Sequence, residues 1–213
     1  MLKPHKGGLM YIRDFKYTSE DVDCQFCVEF GNNRCRVNKC PWMKERVEAG
    51  VISYIEAVST LFSARSSLSK RAKVALSHTD KTIWRDEAHH SRFNQAEASF
   101  GFYKSRNTSE YYAALFLLTS EETLFRRVST CFKREGIDFS SAKLRDIPPE
   151  HYALFKIAKS LYTDSPEVSV DELANPELVS AESFRLVINA MLVRRYGLPA
   201  LKLKRKDGCS GSI

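Results

Sequence analysis

Four of the chain's six cysteines lie within seventeen consecutive residues, spaced C-x2-C-x7-C-x4-C. The first spacing lets two sulfurs on one turn reach a single metal ion, and four thiolates match the tetrahedral coordination that zinc accepts. Gly31, Asn32 and Asn33, in the loop between the two pairs, tolerate the positive φ of a tight reversal. Four protein ligands leave no position for water, which is typical of a structural site. The sequence therefore predicts one structural Zn²⁺ held by Cys24, Cys27, Cys35 and Cys40.

The zinc prediction depends on a reducing compartment. The first nine residues, MLKPHKGGL, lack the apolar stretch of a signal peptide, and no apolar run reaches the roughly 18–20 residues that span a bilayer. We therefore expect a cytosolic protein without membrane contact, in which stable disulfides are uncommon. Two alternatives stay open for the cluster, a redox switch at Cys24 and Cys27 or simple free thiols. Cys131 is expected to be buried in an amphipathic helix, and Cys209 to be free in a Gly/Ser tail.

Apolar spacing along the rest of the chain predicts a mainly α fold, a helical bundle with an N-terminal zinc-binding module of four cysteines. Pro41 suits a first helical turn, which would place Cys40 where helix N–H groups stabilise a thiolate. The predicted division is an arm and zinc module over 1–50, a helical domain over 51–147, and a tri-helical unit with a basic tail over 148–213. Helices are predicted over 41–49, 53–65, 67–77, 84–104, 109–119, 120–134, 150–162, 170–174 and 181–196, with a strand or extended arm over 11–15.

The last three helices have the length pattern of a helix-turn-helix unit, with residues 181–196 as the recognition helix. Arg185 and Asn189 lie one turn apart and would reach base edges, which predicts nucleic acid as a partner of this region. The middle of the same helix is apolar, however, which favours a packed core helix with a solvated basic end. The cations that would follow a phosphate backbone are Arg194, Arg195, Lys202, Lys204, Arg205 and Lys206.

Other polar clusters carry weaker signals. Asp86 faces His89 and His90 across one helical turn, but the motif is not H-E-x-x-H, so a solvated helix face with one buried histidine is the default. A P-loop, a dinucleotide-binding glycine motif and a G-x-S-x-G motif are all missing from the sequence, which disfavours an enzyme. The net charge of +7 favours an acidic or nucleic-acid partner and disfavours mimicry of DNA. A further basic group comprises Arg65, Lys70, Arg71 and Lys73.

Two stretches carry a resemblance that covers most of the chain. YTSEDVDCQFCVEF with the following CPW, and IPPEHYALFKIAKSLYT with the later ELANPELVSAESFRLVINAMLVRRYG, resemble a group of proteins carried by prophages and conjugative elements of Gram-positive bacteria. Among mobile-element proteins of this size, the chain is similar to metal-binding type II-A anti-CRISPR inhibitors. That resemblance implies a stoichiometric blocker of Cas9, and it transfers no catalytic or interface residue.

The resulting expectation is a non-enzymatic, zinc-stabilised protein that binds a macromolecule, with Cas9 as the first partner to test. A helix-turn-helix DNA-binding regulator of a mobile element is the alternative, and a metal-dependent enzyme is the third hypothesis.

Overall fold

The chain is mainly helical, as predicted. A computed structural model describes residues 16–62, 66–77, 83–100 and 108–203, so the predicted arm over 11–15, the basic residues 204–206 and Cys209 lie outside it. The described helices are α1 (Val28–Gly31), α2 (Met43–Glu48), α3 (Tyr54–Ser59), α4 (Ser67–Ser77), α5 (Glu87–Phe100), α6 (Ser109–Leu118), α7 (Glu122–Val128), α8 (Pro149–Thr163), α9 (Val170–Ala174) and α10 (Ala181–Tyr196). A short antiparallel hairpin joins β1 (Phe132–Lys133) to β2 (Gly136–Ile137). No helix in these ranges is long and apolar enough to cross a membrane.

Helix α6 lies at the centre of the core. Its sequence, SEYYAALFLL, is apolar on all sides, so the helix is almost wholly buried. It packs on both α8 and α10, and α10 also contacts α2, α3 and α4. The buried apolar side chains form one cluster that runs from Met43 to Leu203. The core is therefore continuous across residues 147 and 148, the predicted boundary between the second and third parts.

The bounds of α4, α9 and α10 match the prediction residue for residue. Serine side chains cap the starts of two of these helices. The Ser180 side chain accepts a hydrogen bond from the backbone N–H of Ser183, and Ser169 forms a reciprocal capping box with Glu172. Side-chain oxygens in these positions satisfy N–H groups that a helix start leaves without partners, so the sequence signal is strong.

Helix α2 is shorter than predicted at its start. It begins at Met43 rather than Pro41, so Cys40 lies outside its first turn, and the predicted stabilisation of a Cys40 thiolate by the helix N-terminus is wrong. Its last residue, Glu48, lies one position before the predicted end, and Gly50 has φ 71°. The N–H of Gly50 donates to Val47 and that of Val51 donates to Arg46, both at 3.1 Å, which is a Schellman ending.

The predicted helix over 120–134 is wrong in its second half. α7 ends at Val128, and a 3₁₀ turn, Ser129–Cys131, leads into the hairpin. Gly136 has φ 148° within β2, a conformation that favours glycine, and the next N–H, from Ile137, donates to the Tyr162 hydroxyl at 3.2 Å. Cys131 is buried as expected, but in the turn rather than in a helix. Tertiary pairing with α8 has therefore overridden the local helical pattern.

Candidate metal centre

Short turns, rather than long elements, position the four clustered cysteines. The first pair flanks a 3₁₀ turn, Cys24–Phe26, in which the Cys27 N–H donates to the Cys24 carbonyl at 2.9 Å. Asp23 caps this turn by accepting from the Gln25 N–H at 2.9 Å. After α1, the chain reverses at Asn33, whose φ is 56°. This observation supports the predicted tight reversal, although Asn33 rather than Gly31 supplies the positive φ.

The second pair is placed by another turn. The 3₁₀ turn Val37–Lys39 follows Cys35 closely, and the Cys40 N–H donates to the Val37 carbonyl at 3.1 Å. The two turns bring all four cysteines to one cavity of about 250 Å³. Phe26, Trp42 and Arg46 line the same cavity. The sequence analysis did not single out Arg46, because its role depends on how α2 packs beside the cysteines.

None of the described side chains in residues 16–42, a range in which only the Asn38 side chain is not described, is buried. Seven side chains of this module are half-buried, and all four clustered cysteines are among them; the other three are Tyr17, Val22 and Val37. The cysteines therefore take the central place that apolar side chains take in a larger domain. A unit this small cannot bury enough apolar surface to be stable without a cross-link or a metal.

The cysteines are unpaired thiols, and no disulfide joins the described ones. As the side chains stand, the described residues hold no group of three or more His, Cys, Asp or Glu arranged to hold a metal ion. The donor chemistry nevertheless fits zinc, since four thiols line one cavity and soft sulfur ligands suit that ion. Zinc binding also displaces the thiol protons and orders the ligands, so a site complete before metal binding is uncommon.

Electrostatics around the cavity also suit a cluster of thiolates. Burial raises the pKa of the Cys24 thiol, the Arg46 guanidinium lowers it, and the neighbouring cysteines Cys35, Cys40 and Cys27 raise it. The other three cysteines therefore lie within electrostatic reach of Cys24. The Nε atom of Arg46 is buried without a hydrogen-bond partner. A thiolate in the cavity would be a suitable acceptor for that orphaned donor.

A second cavity, of about 500 Å³, adjoins the first along three shared cysteines, Cys27, Cys35 and Cys40. Its lining is polar, and the charged members are three cations, Arg34, Arg36 and Lys39, with one carboxylate, Glu29. The first cavity is thus lined by aromatic rings together with the carboxylates of Asp21 and Asp23, and the second mainly by cations. Aromatic and basic residues interleaved with the cysteines in the sequence were the signal that would have predicted this surface.

The cluster of Asp86, His89 and His90 stabilises the fold. The carboxylate of Asp86 caps α5 by accepting from the His89 N–H at 2.6 Å. The His89 ring is fully buried: Nδ1 accepts from the Arg85 N–H at 3.1 Å, so Nε2 carries the proton and donates to the Phe116 carbonyl at 2.9 Å. Burial lowers the pKa of His89 to about 3. Both ring nitrogens are therefore occupied by backbone groups, and His90 stacks on Trp84 instead of joining a site.

The expected base-reading residues lie inside the protein. Arg185 and Asn189 are each only 1% exposed. Arg185 donates to the carbonyls of Ile83 and Trp84 at 3.3 and 3.2 Å, while Asn189 donates to Ile83 at 2.7 Å and accepts from the Tyr54 hydroxyl at 2.5 Å. The prediction that α10 presents these side chains to DNA is therefore wrong. Its apolar middle indicated the correct alternative, a packed core helix.

Most of the described cations that were predicted to follow a phosphate backbone instead make contacts within the fold. Arg194 donates to the Leu161 carbonyl at 2.9 Å and pairs with Glu110 at 2.5 Å, and Arg195 donates to the Thr60 carbonyl at 2.6 Å. Lys202 is exposed. In the other basic group, Arg71 donates to three backbone carbonyls, those of Leu173, Val179 and Ser180, whereas Lys70 and Lys73 are exposed and Arg65 lies outside the described residues.

Comparison with protein-family models, with curated proteins and with solved structures finds no match for this chain.

Proposed function

We propose that this chain is a non-enzymatic binding protein whose N-terminal module is stabilised by one structural zinc ion. The observation that carries the proposal is the make-up of residues 16–42, which have no buried apolar side chain and place four cysteines at their centre. Metal ligation supplies folding free energy to modules of this kind.

Zinc would be held by Cys24, Cys27, Cys35 and Cys40, with Arg46 beside them. When bound, the ion would supply a cross-link between the two 3₁₀ turns rather than a reactive position, because four protein ligands close its coordination shell. The one histidine cluster that suggested acid–base chemistry is occupied by structural hydrogen bonds. Both observations support a binding role rather than catalysis by a metal-dependent enzyme.

Metal content tests this proposal directly. Protein purified without chelator should carry about one zinc per chain by elemental analysis, and Cys27→Ser should lower both the zinc content and the thermal stability. Cys131→Ser is the matched control, since Cys131 lies in the hydrophobic core away from the cluster and should leave the zinc content unchanged. Metal-free wild-type protein with unchanged stability would contradict the proposal.

Cas9 is the partner that we propose from the resemblance alone. A chain with a net charge of +7 does not imitate DNA in a positively charged channel. Inhibition would therefore require docking on a protein surface that has to move or open, with a salt-sensitive association rate. A cleavage assay should show inhibition near one inhibitor per Cas9. Unchanged cleavage by several orthologues at excess protein would remove Cas9 as the partner.

A helix-turn-helix regulator is less well supported, because the helix that would read the bases is buried in the core. Gel shifts with genomic duplex fragments at physiological salt should show only weak, nonspecific complexes. A discrete nanomolar complex that survives competitor DNA would favour the regulator instead.

A further inference from the structure

The cysteine module carries an unusual concentration of exposed apolar side chains. Of the nine large apolar residues exposed in the described chain, four lie between residues 26 and 42. Phe26 is 79% exposed and Trp42 is 55% exposed, and both line the cavity at the cysteines. Phe30, on α1, is half exposed. Scattered apolar residues on a surface are ordinary, but several within one small module indicate a binding surface.

Cations accompany these rings. Residues 16–42 carry four basic and four acidic side chains; three of the acidic ones precede Cys24, whereas three of the basic ones lie between Cys24 and Cys40. Arg34, Arg36 and Lys39 are exposed and line the cavity that shares three cysteines with the aromatic one. Arg34 lies 3.5 Å from Glu29, but both side chains are more than half exposed, so water screens this pair. The cations are therefore available to a bound anion.

We infer that this face of the module, made of Phe26, Trp42, Arg34, Arg36 and Lys39, binds single-stranded nucleic acid. Bases would stack on the two rings while phosphates lie against the cations, the combination by which single strands are held without sequence preference. The inference names a partner class for the proposed binding module and rests on that module being folded. It also moves the nucleic-acid surface from the buried C-terminal helix to the N-terminus.

Two features favour a single strand over other polyanions. In a duplex the base faces are stacked and hidden, so the rings would contribute nothing. Every base offers a π-face, which suits flat exposed rings next to guanidinium groups.

The test uses full-length, zinc-loaded protein and a fluorescein-labelled twelve-nucleotide oligothymidylate, with anisotropy as the readout. We expect Phe26→Ala and Trp42→Ala each to weaken binding roughly tenfold, in line with the loss of one stacked base. Arg36→Glu with Lys39→Glu should lower the slope of log affinity against log salt by about 1.4, at about 0.7 per phosphate contact. A duplex of the same length should bind more weakly than the single strand.

Intrinsic fluorescence gives a second readout at the site itself. The chain has two tryptophans, and Trp84 packs against Phe93 and Phe116 with ring centroids 5.1 and 5.3 Å apart. In a Trp84→Phe variant, Trp42 is the only tryptophan, and stacking on a base should quench its emission. Addition of oligothymidylate without any quenching, while anisotropy reports binding, would place the strand elsewhere and overturn the inference.

The controls separate this surface from the rest of the molecule. Tyr152→Ala removes another exposed ring, and Lys143→Glu with Arg145→Glu reverses two exposed cations after the hairpin; both should bind the oligonucleotide like the wild type. A triple change of Lys204, Arg205 and Lys206 to Gln tests the basic tail. If the tail variant loses all binding while the Phe26 and Trp42 variants keep it, the inference is wrong.

Two further outcomes are decisive. A glutamate-rich peptide that competes as well as the oligonucleotide would assign the surface to an acidic protein and overturn the nucleic-acid inference. Zinc content measured in every sample distinguishes the two proposals. Zinc-loaded protein that fails to bind the single strand contradicts only this inference, whereas zinc-free protein contradicts the proposed function.

Discussion

Arg46 connects the cysteine module to the helical core. It belongs to α2, whose Met43 and Val47 are buried in the core, yet its side chain lines the cavity of the four cysteines. Burial raises the pKa of Cys24 and the Arg46 guanidinium opposes that rise, while the buried Nε of Arg46 has no hydrogen-bond partner. Groups that hydrogen-bond to metal ligands orient those ligands and raise the metal affinity of the site. Arg46 is therefore the residue through which the helical core would influence the affinity of the cysteines for zinc.

Replacing that side chain should weaken zinc binding. We expect Arg46→Met to lower zinc affinity by roughly 10–100-fold, the usual cost of losing an outer-shell partner, while the helical content stays unchanged. Competition with a chromophoric chelator at fixed pH measures the affinity. Lys44→Met, at an exposed position on the same helix, is the control and should bind zinc like the wild type. Equal affinities for both variants would show that Arg46 has no influence on the metal.

His89 should make folding sensitive to acid. Its pKa in the folded protein is about 3, well below the ordinary value of 6.5, because burial disfavours the charged ring. The unfolded chain therefore takes up the proton first. The stability that the neutral ring contributes is fully present above about pH 6.5 and is lost as the pH falls toward 3.

A substitution isolates this contribution. Between about pH 6.5 and pH 5 the free energy of unfolding should fall by on the order of 1–2 kcal/mol more in the wild type than in His89→Gln, which does not titrate. Urea unfolding at several pH values measures the difference. His90→Gln, next in sequence and half-exposed, should keep the wild-type pH dependence. Parallel pH curves for the wild type and His89→Gln would contradict the assignment.

The hairpin and α8 meet at Gly136. This residue has φ 148°, and a Cβ built there would collide with the Tyr162 hydroxyl. That hydroxyl accepts a hydrogen bond from the Ile137 N–H, so it is held close to the backbone of β2. The position therefore requires glycine both for its conformation and for the close approach of α8.

A pair of glycine substitutions tests this element. Gly136→Ala should lower the free energy of unfolding by roughly 1–3 kcal/mol because of backbone strain and the collision. Gly31→Ala should be neutral or slightly stabilising, since nothing lies within 4 Å of its Cβ position at the end of α1. Chemical denaturation measures both. Adding Tyr162→Phe to Gly136→Ala should recover part of the loss, and no recovery would mean that strain alone is responsible.

The net charge is distributed unevenly along the chain. The described residues carry 23 basic and 23 acidic side chains, so the net charge of +7 arises from the residues outside them, which hold ten basic and three acidic side chains. Electrostatic attraction of the whole chain to a polyanion therefore depends on those segments. The cysteine module adds a local basic surface that the overall charge does not reveal. Because of this difference, the variant of Lys204, Arg205 and Lys206 has to be compared with the variants of Phe26 and Trp42.

Removing the metal should unfold one part of the molecule before the other. The core, which includes α6, α8 and α10, is held by apolar burial, whereas residues 16–42 have no fully buried apolar side chain and only partly buried ones. After chelation, brief trypsin treatment should cut at Arg34, Arg36 and Lys39, while helical ellipticity is largely retained. Mass spectrometry of the released peptides measures the cleavage. Restoring zinc before trypsin should protect these sites, and equal cleavage with and without zinc would contradict a metal-dependent module.

Local signals in the sequence were enough for several features. The bounds of α4, α9 and α10 follow from serine caps and apolar spacing, which act over three or four residues. Gly50 and Gly197 directly follow the predicted helices over 41–49 and 181–196, and both have the positive φ typical of a glycine after a helix end. The spacing of Cys24 to Cys40 also allowed the convergence of the thiols on one cavity to be predicted, because two short turns suffice to bring them together.

Tertiary structure decided what local signals leave open. A helical face carrying Arg185 and Asn189 is compatible with a DNA groove or with buried carbonyls, and only the packing of Ile83 and Trp84 against α10 selects the second. The chain after Val128 has a helical pattern, yet pairing with Tyr162 turns it into a hairpin. The aromatic and basic face of the cysteine module depends on which side chains the short turns leave exposed. Burial is a property of the assembled molecule, so a residue's identity does not determine it.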